Sequence, residues 1–127
     1  MTDAVLDASA VLATLNDEPG GDVALAAARD AAVSAVNFAE VISKLIARGV
    51  SEDGALAAVR GFGFEVTQID DRQAELAALL HAGTRRQGLS LGDAFCLALA
   101  KVLDLPVLTA DRRWRDLDVG VAITLIR

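Results

Sequence analysis

Leu91–Asp111, LGDAFCLALAKVLDLPVLTAD, sets a segment that is apolar nearly all round before a short apolar run ending in an acid. Leu91–Leu103 has helical length and little polar surface, as expected of a helix packed on several sides. Pro106 marks the change of element, and Val107-Leu108-Thr109 reads as a buried strand. Such a strand belongs to a parallel sheet covered on both faces, since a half-solvated strand alternates apolar and polar residues.

Working outward, the same pairing of short strand and helix recurs. Val5-Leu6 is a brief apolar run ended by Asp7, and Ala8–Leu15 follows as a helix. Asn16–Gly21 (NDEPGG) is a turn by composition, Asp22–Arg29 a further short helix, and Ala31–Ser34 a short strand. Asn37–Arg48 carries Phe38, Val41, Ile42, Leu45 and Ile46 at helical spacing, with Gly49 past its end. Ser51, Glu52 and Asp53 suit a helix start, and that helix should stop near Gly61-Phe62-Gly63. Phe64–Ile69 alternates as a strand, Asp71–Arg86 is helical with Gly88 closing it, and Val121–Ile126 is the last strand. The class is α/β, a three-layer α/β/α sandwich around a central, mainly parallel sheet, with residues 1–127 forming one domain.

Composition narrows the function. Of the 127 residues, 54% are hydrophobic and 24% charged, which excludes intrinsic disorder. Mean hydropathy is high at +0.42, yet apolar runs such as Leu97–Ala100 and Val121–Ile123 fall far short of the ~20 residues a membrane span needs. The opening Met1-Thr2-Asp3 lacks the basic-then-apolar pattern of a signal segment, so a cytoplasmic protein with no membrane association is expected. One cysteine, Cys96, gives neither an internal disulfide nor a thiolate zinc site. One histidine, His81, removes most imidazole chemistry, so any metal must be bound by oxygen: magnesium, calcium or manganese. A net charge of −6 argues against a protein that holds nucleic acid by overall charge.

The acids fall at one place relative to these elements. Asp7 follows the first strand, and Glu40 lies in the first turn of the helix after the second. Asp93 lies in the first turn of the Leu91–Leu103 helix, and Asp111 ends the strand that begins at Val107. In an open parallel sheet, strand C-termini and the following helix N-termini share an edge where ligands bind. Two like charges ~4 Å apart repel by about 4 kcal/mol at an effective dielectric near 20. A hard divalent cation relieves that repulsion and can activate water beside a phosphoryl group. Taken singly, each acid has an ordinary structural role open to it. Asp7 suits a helix cap, and Glu40 sits opposite the apolar stripe, with Lys44 four residues on as a surface partner. Asp93 completes a capping box with Ser90, and Asp111 suits a turn.

Four segments carry a resemblance: VLDASA at 5–10, SAVNFAE at 34–40, LSLGDAF at 89–95 and PVLTAD at 106–111. In order and spacing they resemble PIN domains, and with the chain length they are similar to the VapC-type toxin ribonucleases of type II toxin–antitoxin pairs. The resemblance covers essentially the whole chain. It implies a magnesium- or manganese-dependent endoribonuclease that hydrolyses RNA to 3′-hydroxyl and 5′-phosphate ends. Asp7, Glu40, Asp93 and Asp111 would then be the catalytic and metal-binding acids. Ser9 and Thr109 would support them through hydrogen bonds, and Asp116 is a candidate further acid. The resemblance also implies a homodimer, and a heteromeric complex in which an antitoxin covers the acidic site.

RNA contacts must come from local bases. Arg112, Arg113 and Arg115 follow Asp111, Arg85 and Arg86 precede the Asp93 helix, and Trp114 could stack on a base or pack in the core. His81, Cys96 and the phenylalanines Phe38, Phe62, Phe64 and Phe95 read as structural. Aspartyl-phosphate chemistry fits poorly, because Ser9 stands where a dehalogenase-type phosphatase has its second acid, and no lysine follows Lys101 as a receiver domain needs. A module whose acidic edge binds a basic peptide, or an RNA-processing nuclease without a toxin role, are the competing expectations.

Overall fold

The computed structural model describes residues 1–127. Five strands form one sheet: β1 (Ala4–Leu6), β2 (Ala31–Ser34), β3 (Glu65–Thr67), β4 (Val107–Thr109) and β5 (Ile123–Leu125). Their spatial order is β3-β2-β1-β4-β5 and every pairing is parallel. Six helices connect them: α1 (Ala8–Leu15), α2 (Gly21–Ala27), α3 (Ala35–Ala47), α4 (Glu52–Arg60), α5 (Asp71–Gly83) and α6 (Leu91–Leu103). No helix is long and apolar enough to cross a membrane.

Strand side chains alternate between faces, and both faces here are buried. Leu6 and Val33 join Val11, Val41, Leu45 and Val59 under α1, α3 and α4. Val5, Ala32 and Val107 join Cys96, Leu97, Leu99 and Trp114 beneath α6 on the other side. Helix α5 backs α6 through Ala77, Ala94 and Ala98, small residues that let the two helices approach closely. Phe62 and Phe64 pack at 5.4 Å between ring centroids, and Phe38 meets Phe64 edge-on at 6.3 Å. This is the expected sandwich.

Several boundaries move, each for a local reason. Helix α3 begins at Ala35 and not Asn37, because the Ser34 hydroxyl accepts the Val36 N–H and starts the helix earlier. Glu40 therefore lies in the second turn. The expected helix over Asp22–Arg29 is α2 followed by a 3₁₀ turn at Ala28–Asp30. Helix α5 stops at Gly83, where Thr84 turns its hydroxyl back to the Leu80 carbonyl at 2.7 Å; Arg85–Gln87 is a separate 3₁₀ turn. The strands expected at Phe64–Ile69 and Val121–Ile126 contract to the two three-residue edges β3 and β5, where partners exist on one side only. Ile46, placed in the apolar stripe of α3, is exposed.

Candidate active site

The chain steps outward from β1 through β2 to β3 on one side, and from β4 to β5 on the other. The strand order thus reverses between β1 and β4, which is where an open α/β sheet forms its ligand crevice. A cleft of about 360 Å³ opens there, and Asp7, Glu40, Asp93 and Asp111 all line it, with Ser9, Lys44 and Arg113.

Asp7 stands at the N-cap position of α1 but makes no capping bond with its side chain. The carboxylate turns instead toward β4. Ser9 Oγ and Thr109 Oγ1 both donate to Asp7 Oδ2, at 2.6 and 2.8 Å. Behind them, the Ala110 N–H donates to Ser9 Oγ at 2.9 Å and the Asp111 N–H to Thr109 Oγ1 at 3.0 Å. Each chain runs from backbone amide through hydroxyl to carboxylate, so its dipoles reinforce one another. Even so, burial outweighs these bonds and lifts the Asp7 carboxyl from 3.8 to about 6.

Glu40 does not pair with Lys44; neither takes part in a salt bridge. Its Oε1 accepts from Asn37 Nδ2 at 2.9 Å, and the same nitrogen donates to the Gly92 carbonyl of α6 at 3.0 Å. Asp93 has the capping-box geometry: its Oδ2 accepts the Ser90 N–H at 2.8 Å while Ser90 Oγ accepts the Asp93 N–H at 3.1 Å. Asp111 is held by Arg113. Arg113 Nη2 lies 2.7 Å from Oδ2, Nε reaches both oxygens at 3.1 Å, and Nη1 donates to the Gly88 carbonyl at 3.0 Å. Gly88 takes a positive φ of 76° to turn that carbonyl into place, a conformation glycine adopts without strain. The guanidinium holds the Asp111 carboxyl below its ordinary value.

The sequence matches the PIN domain over residues 4–120. The chain belongs to the PIN-domain family. It is 31% identical over 125 residues to the ribonuclease VapC of Mycolicibacterium smegmatis, covering 91% of this chain and 97% of that protein. The fold is also that of the DNA-bound VapBC of Salmonella typhimurium, with 20% identity, full coverage of both chains and a TM-score of 0.77. A toxin–antitoxin complex from Klebsiella pneumoniae matches with 20% identity, 98% coverage of both chains and a TM-score of 0.76.

The PIN fold here brings all four sequence-expected acids to one cleft, with Ser9 and Thr109 bonded to the most buried of them. It does not bring Asp116, which is exposed and outside the cleft lining. Trp114 is fully buried in the core beneath α6, so of the two roles open to it packing holds and base stacking is corrected, because its ring is not offered to a base. Arg113 is bound to Asp111, while Arg112 and Arg115 are exposed. Asn37 is a residue that sequence reasoning passed over. Its signal was slight, an amide on the same helix face as Glu40, three residues away.

The cleft presents a donor set for a divalent ion. The set is all oxygen, which suits a hard cation. No three acids are arranged to hold an ion directly. The cleft's 360 Å³ is many times the space one water needs, which leaves room for an ion that keeps most of its own waters, as magnesium does. Four carboxylates face two cations, Lys44 and Arg113, and one acid is buried with a raised pKa. The residues fit such an ion.

Proposed function

We propose that this PIN-domain protein is a divalent-metal-dependent endoribonuclease, using Mg²⁺ with Mn²⁺ able to replace it, and that it is the toxin of a type II toxin–antitoxin pair. The observation that carries this reading is the buried Asp7 carboxylate, gathered with Glu40, Asp93 and Asp111 around one open cleft. The 31% identity to a protein named as a ribonuclease supports it. So does the likeness of the fold to chains solved in toxin–antitoxin complexes.

Asp7, Glu40, Asp93 and Asp111 would hold the ion, in part through its own waters. When bound, it would supply charge to offset that developing on the phosphoryl oxygens and lower the pKa of an attacking water. Ser9 and Thr109 fix the direction of the Asp7 carboxylate through their two hydrogen bonds. Arg112 and Arg115, exposed just after the cleft residue Asp111 in sequence, and Arg85 and Arg86, exposed just before the cleft residue Gly88, would meet RNA phosphates. Affinity for RNA would then fall as salt rises. An antitoxin would silence the enzyme by covering this acidic cleft, within a heteromeric complex built on a homodimer in the cytoplasm.

The test is end-mapped cleavage of total cellular RNA by the purified chain, with and without magnesium. New 5′-phosphate ends that form only with the ion are expected. Undiminished cleavage in excess chelator would overturn the metal role. No cleavage with magnesium, together with binding of basic peptides, would make the chain a binding module.

A further inference from the structure

We propose that Asn37 is the positioning residue of the cleft, its amide fixing the Glu40 carboxylate of α3 against the first turn of α6 that carries Asp93. The inference rests on the metal-dependent reading above and adds a residue to it.

Asn37 is fully buried. Its Nδ2 serves two acceptors on different helices, Glu40 Oε1 and the Gly92 carbonyl. Those two acceptors decide which way the amide faces, and they leave Oδ1 buried with no partner. An unpaired buried carbonyl destabilises the fold, and an apolar residue of similar shape would avoid that cost. Stability alone therefore does not account for an asparagine here. What the amide provides is a two-pronged donor at the junction of α3 and α6.

Gly92 gives independent geometric support. A Cβ at this position would collide with the Glu40 carboxyl group, so the acid sits on bare α6 backbone. Asp93 is the next residue, and its own carboxylate is tied to the Ser90 N–H. Glu40 makes no salt bridge, and its hydrogen bond comes from Asn37. The placement of Glu40 relative to Asp93 thus passes through one amide. Without it, Glu40 is free to swing toward solvent or Lys44.

The test measures Mn²⁺ binding to RNA-free protein by electron paramagnetic resonance, with thermal unfolding of each variant recorded alongside. Asn37→Ala and the shape-keeping Asn37→Leu are compared with wild type, and Asn37→Ala is repeated in a Glu40→Gln background. Removing a partner that orients a metal ligand costs about tenfold or more in metal affinity. A loss of about that size is expected in both single variants, shrinking to less than about twofold when Glu40 is already Gln. Wild-type affinity in either folded variant would overturn the proposal. So would an equal loss in both backgrounds, which marks a general structural effect. If wild type itself binds no Mn²⁺, the metal-dependent reading falls and this inference with it; if wild type binds and the variants match it, only the role of Asn37 falls.

Discussion

At the end of β1 the Asp7 carboxylate is almost wholly buried at the floor of the cleft, with two hydroxyls for partners and no cation bonded to it. At the end of the neighbouring strand β4, Asp111 keeps 20% of its side-chain surface exposed and is gripped by the Arg113 guanidinium. Both face one cleft. Burial drives the first carboxyl up to about 6, and the guanidinium drives the second below its ordinary value. The difference separates two ways of handling a carboxylate. Asp111 has its positive charge within the chain, whereas Asp7 is held in position with its need for one unmet.

The sharpest way to break this contrast is Asp7→Asn. It should lower RNA cleavage by more than about 100-fold, beyond the usual cost of losing an outer partner. It should also raise stability. A carboxyl whose folded pKa is raised binds more protons in the folded state, so its own contribution to stability is greatest below pH 3.8 and falls as pH rises to about 6. A shift of that size corresponds to roughly 3 kcal/mol at neutral pH. Urea unfolding across pH should show the decline in wild type and a flatter profile in Asp7→Asn.

Thr109→Val sharpens the Asp7 side alone. It removes a bond that favours the charged carboxylate and strips the Asp111 N–H of its acceptor. The expected cost is about 1–3 kcal/mol in stability, with the Asp7 midpoint moving further up in a carbonyl-resolved NMR titration.

Arg113→Gln probes the other corner and should have the smallest effect. The Arg113 side chain is 56% exposed, and pairs of that kind contribute within about 1 kcal/mol. The sign is opposite to that at Asp7. A lowered carboxyl stabilises the fold above its unfolded pKa, and that contribution disappears as pH falls below about 4. Wild type and Arg113→Gln should therefore differ most at neutral pH and converge in acid, as followed by thermal unfolding.

Much of this geometry was legible from residue pattern. The bounds of α6 follow from its Ser90 cap and those of α1, β2 and β4 from short apolar runs, and the parallel order of short buried strands places Asp7 and Asp111 on one edge. The edge strands were less legible, because at Phe64–Ile69 the alternation extends beyond the residues that find a partner. Glu40 shows a further limit. A helical wheel correctly places it opposite the apolar stripe, but that face borders the cleft and the start of α6 as well as solvent. Burial of Trp114 and the reach of Arg113 back to Asp111 depend on a 3₁₀ turn after β4, which no periodic pattern announces. Asn37 acts between two helices far apart in sequence, so its neighbours in the chain say little about its acceptor on α6.

The most direct test of the account is the ionisation of Asp7 followed by ¹³C NMR of its side-chain carboxyl, with and without Mg²⁺. A midpoint near 6 is expected in the metal-free protein, moving well below the ordinary carboxylate range when the ion is present. A midpoint that magnesium leaves unmoved would contradict it.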